Sequence, residues 1–293
     1  MAGRTRPKVD KTARWGGRAD FWVEYPNGLV DVSETMLESP LPAAAPPKPQ
    51  GLVDIPVEGD RVVRVDPKRT ALVVIDMQNF FLHPDMRDHP TGLACVDPII
   101  KTLPVLRQHG VHIIWLCTTP LHIAFHPFCS NWGISSAELE TLPPSLKRGF
   151  SRTPNGGFGS ELPNHLGKLL MRGEWNADLY EPLQAEYATG KRLGTDVWIH
   201  KNRISGLWGT GGPCEVYLKE NGIRTLIFAG VNADQCVQGT LVDASFKGYN
   251  IIVLRDGIAT SSPEGGLENV IYNAGSSGFI TDSAKIVTTA SQQ

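Results

Sequence analysis

Leu226 to Val231 is an unbroken run of apolar and small residues that ends in the turn chemistry of Gly230 to Asp234. A run of this length and closure reads as a strand buried on both faces of a parallel sheet. Cys236 follows directly, after which Val237, Thr240, Leu241 and Ala244 recur at helical spacing as far as Lys247 and Gly248. Asp234 reads as the N-cap of this helix and Gly248 as its stop. A second apolar run, Asn250 to Leu254, completes a strand, helix, strand unit. The arrangement puts a cysteine in the first turn of a helix, just past the C-terminal end of a central strand. Open α/β sheets bind ligands there, and helix amides and dipole favour thiolate over thiol. Taken alone, the position fits a buried structural cysteine equally well.

The rest of the chain extends the same pattern. Thr70 to Ile75, Val111 to Cys117 and Thr195 to His200 read as further buried strands, and a last one is expected near Ile286 to Thr289. Between the first two, Asp97-Pro98 is an N-cap followed by proline at the first helical position, and the helix runs to His109 with Gly110 as its stop. That β-α-β order calls for a right-handed crossover. Trp175 to Glu186 and Gly211 to Asn221 read as helices, and Ser261-Ser262-Pro263-Glu264 as the capping box of another. Thr118 to about Glu174 lacks periodicity and is rich in Gly, Pro, Ser and Asn, which suits a substrate-side loop or an inter-subunit arm.

The N-terminal part differs. Residues 1 to about 20 carry six basic residues and little apolar content, the composition of a solvated, mobile tail. Trp15, Phe21, Trp22 and Tyr25 then crowd into a segment that should dock on the body or on a neighbouring subunit. Ser39 to Gly51, with five prolines, reads as a semi-rigid connector. The chain therefore divides into an extension, 1–61, and a catalytic body, 62–293.

A net charge of −2 gives no reason to expect nucleic acid or an anionic membrane as a partner. Five scattered cysteines without a C-x-x-C pair point to a reducing, cytoplasmic setting rather than to a disulfide framework or a cysteine zinc site. No apolar stretch is long enough to span a bilayer.

Asp76, Lys201 and Cys236 each follow a predicted parallel strand, so all three should emerge at one edge of the sheet. Asp76 alone reads as a strand-end cap and Lys201 alone as a solvated loop charge. Together they make chemistry: an ammonium lowers the pKa of a thiol, and a carboxylate can accept its proton.

Three segments carry a resemblance: Val-Val-Ile-Asp76-Met-Gln-Asn-Phe-Phe81, His200-Lys201-Asn-Arg203-Ile-Ser205-Gly, and Ala-Gly230-Val-Asn-Ala-Asp234-Gln-Cys236-Val. In this order and spacing they resemble the isochorismatase-like cysteine hydrolases, over about residues 62 to 290. The resemblance implies a three-layer α/β/α fold with a mostly parallel central sheet and a triad of Cys236, Asp76 and Lys201. It also implies a non-proline cis peptide at Val231-Asn232, with the amides of Asn232 and Cys236 forming an oxyanion hole.

Possession of Cys236 shifts the expected activity from vinyl ether cleavage toward cofactor-free hydrolysis of a small amide or ureide. Trp175 to Tyr180, with Lys201-x-Arg203-x-Ser205-Gly, looks closest to the ureidoacrylate and related ureide amidohydrolases. Arg203 could then clamp a substrate carboxylate or form a surface salt bridge. Phe81 and Trp208 are candidates for the pocket wall or the core, and Gln78 for a substrate contact or for satisfying loop amides. His122 and His126 share helical spacing but lack a nearby carboxylate, so no metal is expected. The resemblance further suggests a homo-oligomer, a dimer or tetramer. The rival readings are an isochorismate-type vinyl ether hydrolase and a catalytically silent binding protein on the same scaffold.

Overall fold

Alternate residues of one central strand point into opposite cores, and this sets the architecture. In β6 (Thr70–Ile75), Leu72 and Val74 enter one apolar cluster while Ala71, Val73 and Ile75 enter another. The strand is buried along its whole length, as its continuous apolar sequence requires. The computed structural model describes residues 6–17, 20–35, 40–118 and 157–291.

Before β6, five strands form a separate sheet: β1 (Ala13–Gly16), β2 (Phe21–Glu24), β3 (Leu29–Asp31), β4 (Val53–Val57) and β5 (Arg61–Val65), in the order β1-β2-β3-β5-β4. The expected mobile tail is corrected here, because Ala13–Gly16 pairs with β2 and sets Trp15 opposite Trp22. The Arg14 guanidinium lies 4.3 Å from the Phe21 ring centroid, giving this basic stretch an aromatic surface to rest on. The proline-rich stretch runs from β3 to β4 and so lies within the extension. The boundary expected at residue 62 falls inside β5, which pairs with both β3 and β4.

The second sheet is parallel throughout. To β6 it adds β7 (His112–Thr118), β8 (Asp196–Lys201), β9 (Thr225–Val231), β10 (Asn250–Ala259) and β11 (Phe279–Thr281), in the order β11-β10-β9-β6-β7-β8. The chain starts in the middle, winds outward to β8, then returns beside β6 and winds the other way. The order therefore reverses between β6 and β9, a topological switch point.

Helices cover both faces. On one face lie α1 (Val96–His109), α2 (Glu181–Leu193) and, beyond β11, a short C-terminal helix. On the other lie α3 (Pro213–Glu220), α4 (Gln238–Phe246) and α5 (Gly266–Ser277). The C-terminal helix, α6 (Ser283–Thr288), occupies residues expected to be a strand; Asp282 caps it by accepting the Lys285 N–H at 2.9 Å. The last strand lies just before it and is only three residues long. The predicted capping box at Ser261 does not open α5, which starts at Gly266, since the Ser261 N–H is bound to Asn232 Oδ1. Trp175 to Ala177 forms a 3₁₀ turn instead of a helix. Its carbonyls at Trp175 and Ala177 accept from the Asn79 and Gln78 side chains.

Valines of the first sheet (Val30, Val32, Val53, Val57, Val63 and Val65) join Ile99, Leu103, Leu106 and Ile286 in one continuous core. Glu34 pairs with Arg69 at 2.7 Å and Arg224 at 3.3 Å, which precede β6 and β9. The extension is thus anchored at the edge where these strands begin.

The edge strand β8 is held by a buried ionic knot. Asp196, at its start, accepts two bonds from Arg107 of α1 (3.0 and 2.8 Å) and one from the Trp115 indole of β7 (2.8 Å). A side chain at Gly190 would collide with this carboxylate. Asp196→Ala leaves the Trp115 indole N–H without its acceptor and the buried Arg107 guanidinium with Glu186 as its remaining carboxylate. The expected loss is about 1 to 3 kcal/mol of stability, read as a lower midpoint in chemical denaturation.

Candidate active site

Three strand ends converge at the carboxyl edge beside the switch point. Asp76 ends β6 in the left-handed region (φ 51), which turns its side chain off the strand axis. Its N–H donates to Leu116 O at 3.1 Å and its Oδ1 accepts from the Thr118 N–H at 2.7 Å. Lys201 ends β8, and its Nζ lies 2.8 Å from Asp76 Oδ2. The same ammonium donates to Thr118 Oγ1 at 2.6 Å and to Arg203 O at 3.1 Å. Asp76 is fully buried and Lys201 nearly so. The cost of desolvating two charges is offset by their attraction and by these hydrogen bonds.

Cys236 stands beyond β9, the other neighbour of β6. It is buried, and the charges of Asp76 and Lys201 both act on its thiol. The sequence pattern predicts an ordinary helix after an Asp234 N-cap. Instead the cysteine sits in a π-helical turn, Ala233–Val237, flanked by Asn232 and closed by Val237 N–H to Asn232 O at 3.2 Å. The Val231–Asn232 peptide is cis. Gly230, at φ 117, packs so tightly against the main chain of Ile75 that a Cβ would collide with it. That glycine lets β9 bring the Cys236 turn alongside Asp76.

The electrostatics differ from the sequence expectation of a depressed thiol pKa. Burial first, and then the Asp76 carboxylate, push the Cys236 thiol up to about 12, against the opposing pull of Lys201. At neutral pH the sulfur is therefore an S–H donor. Burial pulls the Lys201 pKa down, but Asp76 and Cys236 outweigh it and hold the ammonium above its usual range. A carboxylate whose charge acts on an S–H, with a fixed cation beside it, can take that proton as the sulfur attacks an electrophile.

The other sequence candidates divide. Asn232 is buried beside Cys236, with Oδ1 accepting from Ser261 N–H at 3.2 Å. Both Gln78 N–H groups are engaged, by Thr118 O (3.0 Å) and Ala177 O (2.6 Å), and its oxygen accepts from Thr118 N–H at 3.0 Å. Gln78 thus satisfies loop amides. Phe81 is buried in the core, edge to face with Phe80 at 5.0 Å. Arg203, half-buried, donates to Asn202 O at 3.1 Å. Trp208 is 65% exposed. Arg203 and Trp208 border an open depression of about 570 Å³ to which Asp76, Lys201 and Cys236 do not contribute.

The residue that sequence reading missed is Thr118, which braces Asp76 with its N–H and Lys201 with its hydroxyl. Its signal was available: it ends β7 in register with Lys201, as Asp76 ends β6. His122 and His126 lie outside the described residues, among which no cluster of His, Cys, Asp or Glu is placed to hold a metal ion.

Residues 70–284 match the isochorismatase domain family. A ureidoacrylate amidohydrolase RutB of Caulobacter segnis is 30% identical over 246 residues, covering 81% of this chain and 90% of that protein. The RutB of Pantoea ananatis is 30% identical over 209 residues, covering 71% and 76%. Among solved structures, a cysteine hydrolase from Pseudomonas syringae pv. phaseolicola superposes with TM-score 0.55 at 20% identity, covering 78% of this chain and 95% of that one. N-carbamoylsarcosine amidase from Thermoplasma acidophilum gives TM-score 0.51 at 21% identity, covering 73% and 96%. At that identity the likeness is one of fold: three layers around a mostly parallel sheet.

Thiol reactivity tests the electrostatics directly. At pH 9, Cys236 alkylation by iodoacetamide, located by peptide mass, is expected to be slow. Asp76→Asn removes the neighbour that raises the pKa and should speed it; Lys201→Met removes the opposing cation and should slow it further. The reverse order would contradict the assignment of these two influences.

Proposed function

The chain belongs to the isochorismatase domain family of hydrolases, and on that premise we propose that it is a cysteine-dependent amidohydrolase cleaving a small amide or ureide of the N-carbamoyl type. The observation that carries this reading is the buried Asp76–Lys201 ion pair at 2.8 Å, with the buried Cys236 thiol subject to the charges of both. The RutB relatives and the N-carbamoylsarcosine amidase neighbour support the substrate class.

In the proposed reaction Asp76 accepts the Cys236 proton while the sulfur bonds to the substrate carbonyl carbon. The carbonyl electron pair moves to oxygen, where the main-chain amides of Asn232 and Cys236 serve as the oxyanion hole. The tetrahedral adduct collapses, the C–N bond breaks, and Asp76 returns the proton to the departing ammonia or amine. Water then attacks the thioacyl enzyme with Asp76 as base, releasing the acid and restoring the S–H. Lys201 stays charged throughout and keeps Asp76 in place through their ion pair. The cycle as proposed uses side chains, main-chain amides and water.

The same reading makes the protein a cytoplasmic homo-oligomer, a dimer or tetramer. Buried free thiols at Cys95, Cys117, Cys214 and Cys236 support the reducing compartment. An outward-facing apolar set, Ile204, Trp208, Val242 and Phe246, 38–87% exposed, supports association through the α4 face.

Ammonia release from a panel of small amides, carbamoyl compounds and ureides tests the activity. Cys236→Ala is expected to lower turnover on the order of 10³-fold or more while the denaturation midpoint stays near that of the parent. Undiminished turnover in that variant, or pyruvate release from isochorismate by the parent enzyme, would overturn the proposal.

A further inference from the structure

The polar side chains that flank Cys236 are engaged by one loop. Asp234 and Gln235 lie on the π-helical turn and Asn232 flanks it, and each meets Thr260, Ser261 or Ser262. The Ser261 N–H donates to Asn232 Oδ1 (3.2 Å), Thr260 Oγ1 to Asp234 Oδ1 (2.5 Å) and Gln235 Nε2 to Ser262 Oγ (3.3 Å). This loop leaves β10 at Ala259, which pairs with Val231, so it runs alongside the turn.

Thr260 is the hub of these contacts. Its hydroxyl also accepts from Ser262 N–H at 3.1 Å, and its carbonyl accepts from Thr91 Oγ1 at 3.1 Å. The turn needs such an outside tie, because Asn232 caps it with no side-chain hydrogen bond. A π-helical turn also spaces its residues more loosely than an α-helix. Its other flank is already tied: Thr240 Oγ1 donates to Cys236 O at 2.7 Å and accepts from Gly206 N–H at 3.0 Å, next to the Lys201 loop.

We propose that Thr260 is a positioning residue for the nucleophile: through Asp234, its hydroxyl fixes the turn so that the Cys236 sulfur stays between Asp76 and Lys201. The inference rests on the reading of Cys236 as the nucleophile. Thr260 touches neither the substrate nor the reacting atoms; it acts through the backbone that carries them. An ångström of drift at the sulfur is enough to cost a large part of the rate.

Thr260→Val keeps the shape and removes the hydroxyl, while Thr260→Ser keeps the hydroxyl and removes the methyl. Two readouts apply to each variant of the full chain: kcat and KM on a cleaved amide or ureide, and the pH profile of Cys236 alkylation by iodoacetamide. For Thr260→Val, kcat is expected to fall roughly 10- to 100-fold with KM nearly constant. The alkylation profile should shift as well, since the sulfur leaves the neighbours that set its pKa. Thr260→Ser should restore both readouts to near the parent values.

The alkylation arm needs no substrate, so it decides the matter even where amide hydrolysis fails. Should Thr260→Val not fold, Asp234→Asn, which weakens the acceptor at constant shape, takes its place with the same readouts. Parent-like kcat and alkylation in Thr260→Val, or in Asp234→Asn in its stead, would overturn the proposal. So would a Thr260→Ser variant as impaired as Thr260→Val, which would assign the loss to packing of the methyl group.

Discussion

The site depends on a charge pair removed from water at the carboxyl edge of a parallel sheet. Asp76 and Lys201 come from strands separated by β7, so their ion pair at 2.8 Å spans a strand, and Thr118 at the end of that strand braces both partners. Buried ion pairs of this kind add little net stability, because desolvation cancels much of the attraction. What they do is hold geometry: neither charge can leave without stranding the other. Burial, and after it the Asp76 carboxylate, push the Cys236 thiol up, while the cation limits the rise. In the proposed mechanism, proton removal and sulfur attack are then linked in one event rather than separated by a standing thiolate.

How much of this could be read from the chain follows from which physical signals are local. The strands Thr70–Ile75 and Thr225–Val231 were legible because a strand buried on both faces is written as an unbroken apolar run. Asp76, Lys201 and Cys236 were legible because strand polarity alone sends them to one edge. The family resemblance added the cis peptide at Val231–Asn232. Features that depend on distant partners were not legible. The role of Thr118 needs two other strands in place. Gln78 satisfies loop carbonyls supplied by Ala177 and Thr118, which nothing in its own neighbourhood announces. The Ser261 capping box was misread because its amide serves the Cys236 turn. The π-helical turn itself keeps the spacing of an ordinary helix in the sequence, and only its hydrogen bonds reveal it.

The N-terminal residues show the same division between local and distant cause. Six basic residues and few apolar ones read as a tail when taken in isolation. The partner that orders Ala13–Gly16 is the next strand, and Phe21 offers the ring on which Arg14 lies. Composition also separated the proline-rich stretch from the strands on either side of it, although both sides belong to one sheet. That sheet is bound to the body at the edge away from the cysteine, through Glu34 with Arg69 and Arg224.

The strands before β6 and the helix after β11 meet in one core. Ile286 of the final helix shares a core with Val53 and Val57, and Thr281 Oγ1 donates to Pro56 O at 2.7 Å. His109 and Thr289 add a contact at 3.0 Å that closes the seam over α1. On a ribosome, the early strands would emerge long before the segment that covers them is synthesised. Their apolar faces must wait, and loop closure over such a separation is slow. The extension is therefore made well before the segment that covers it and is among the last parts to find its final neighbours.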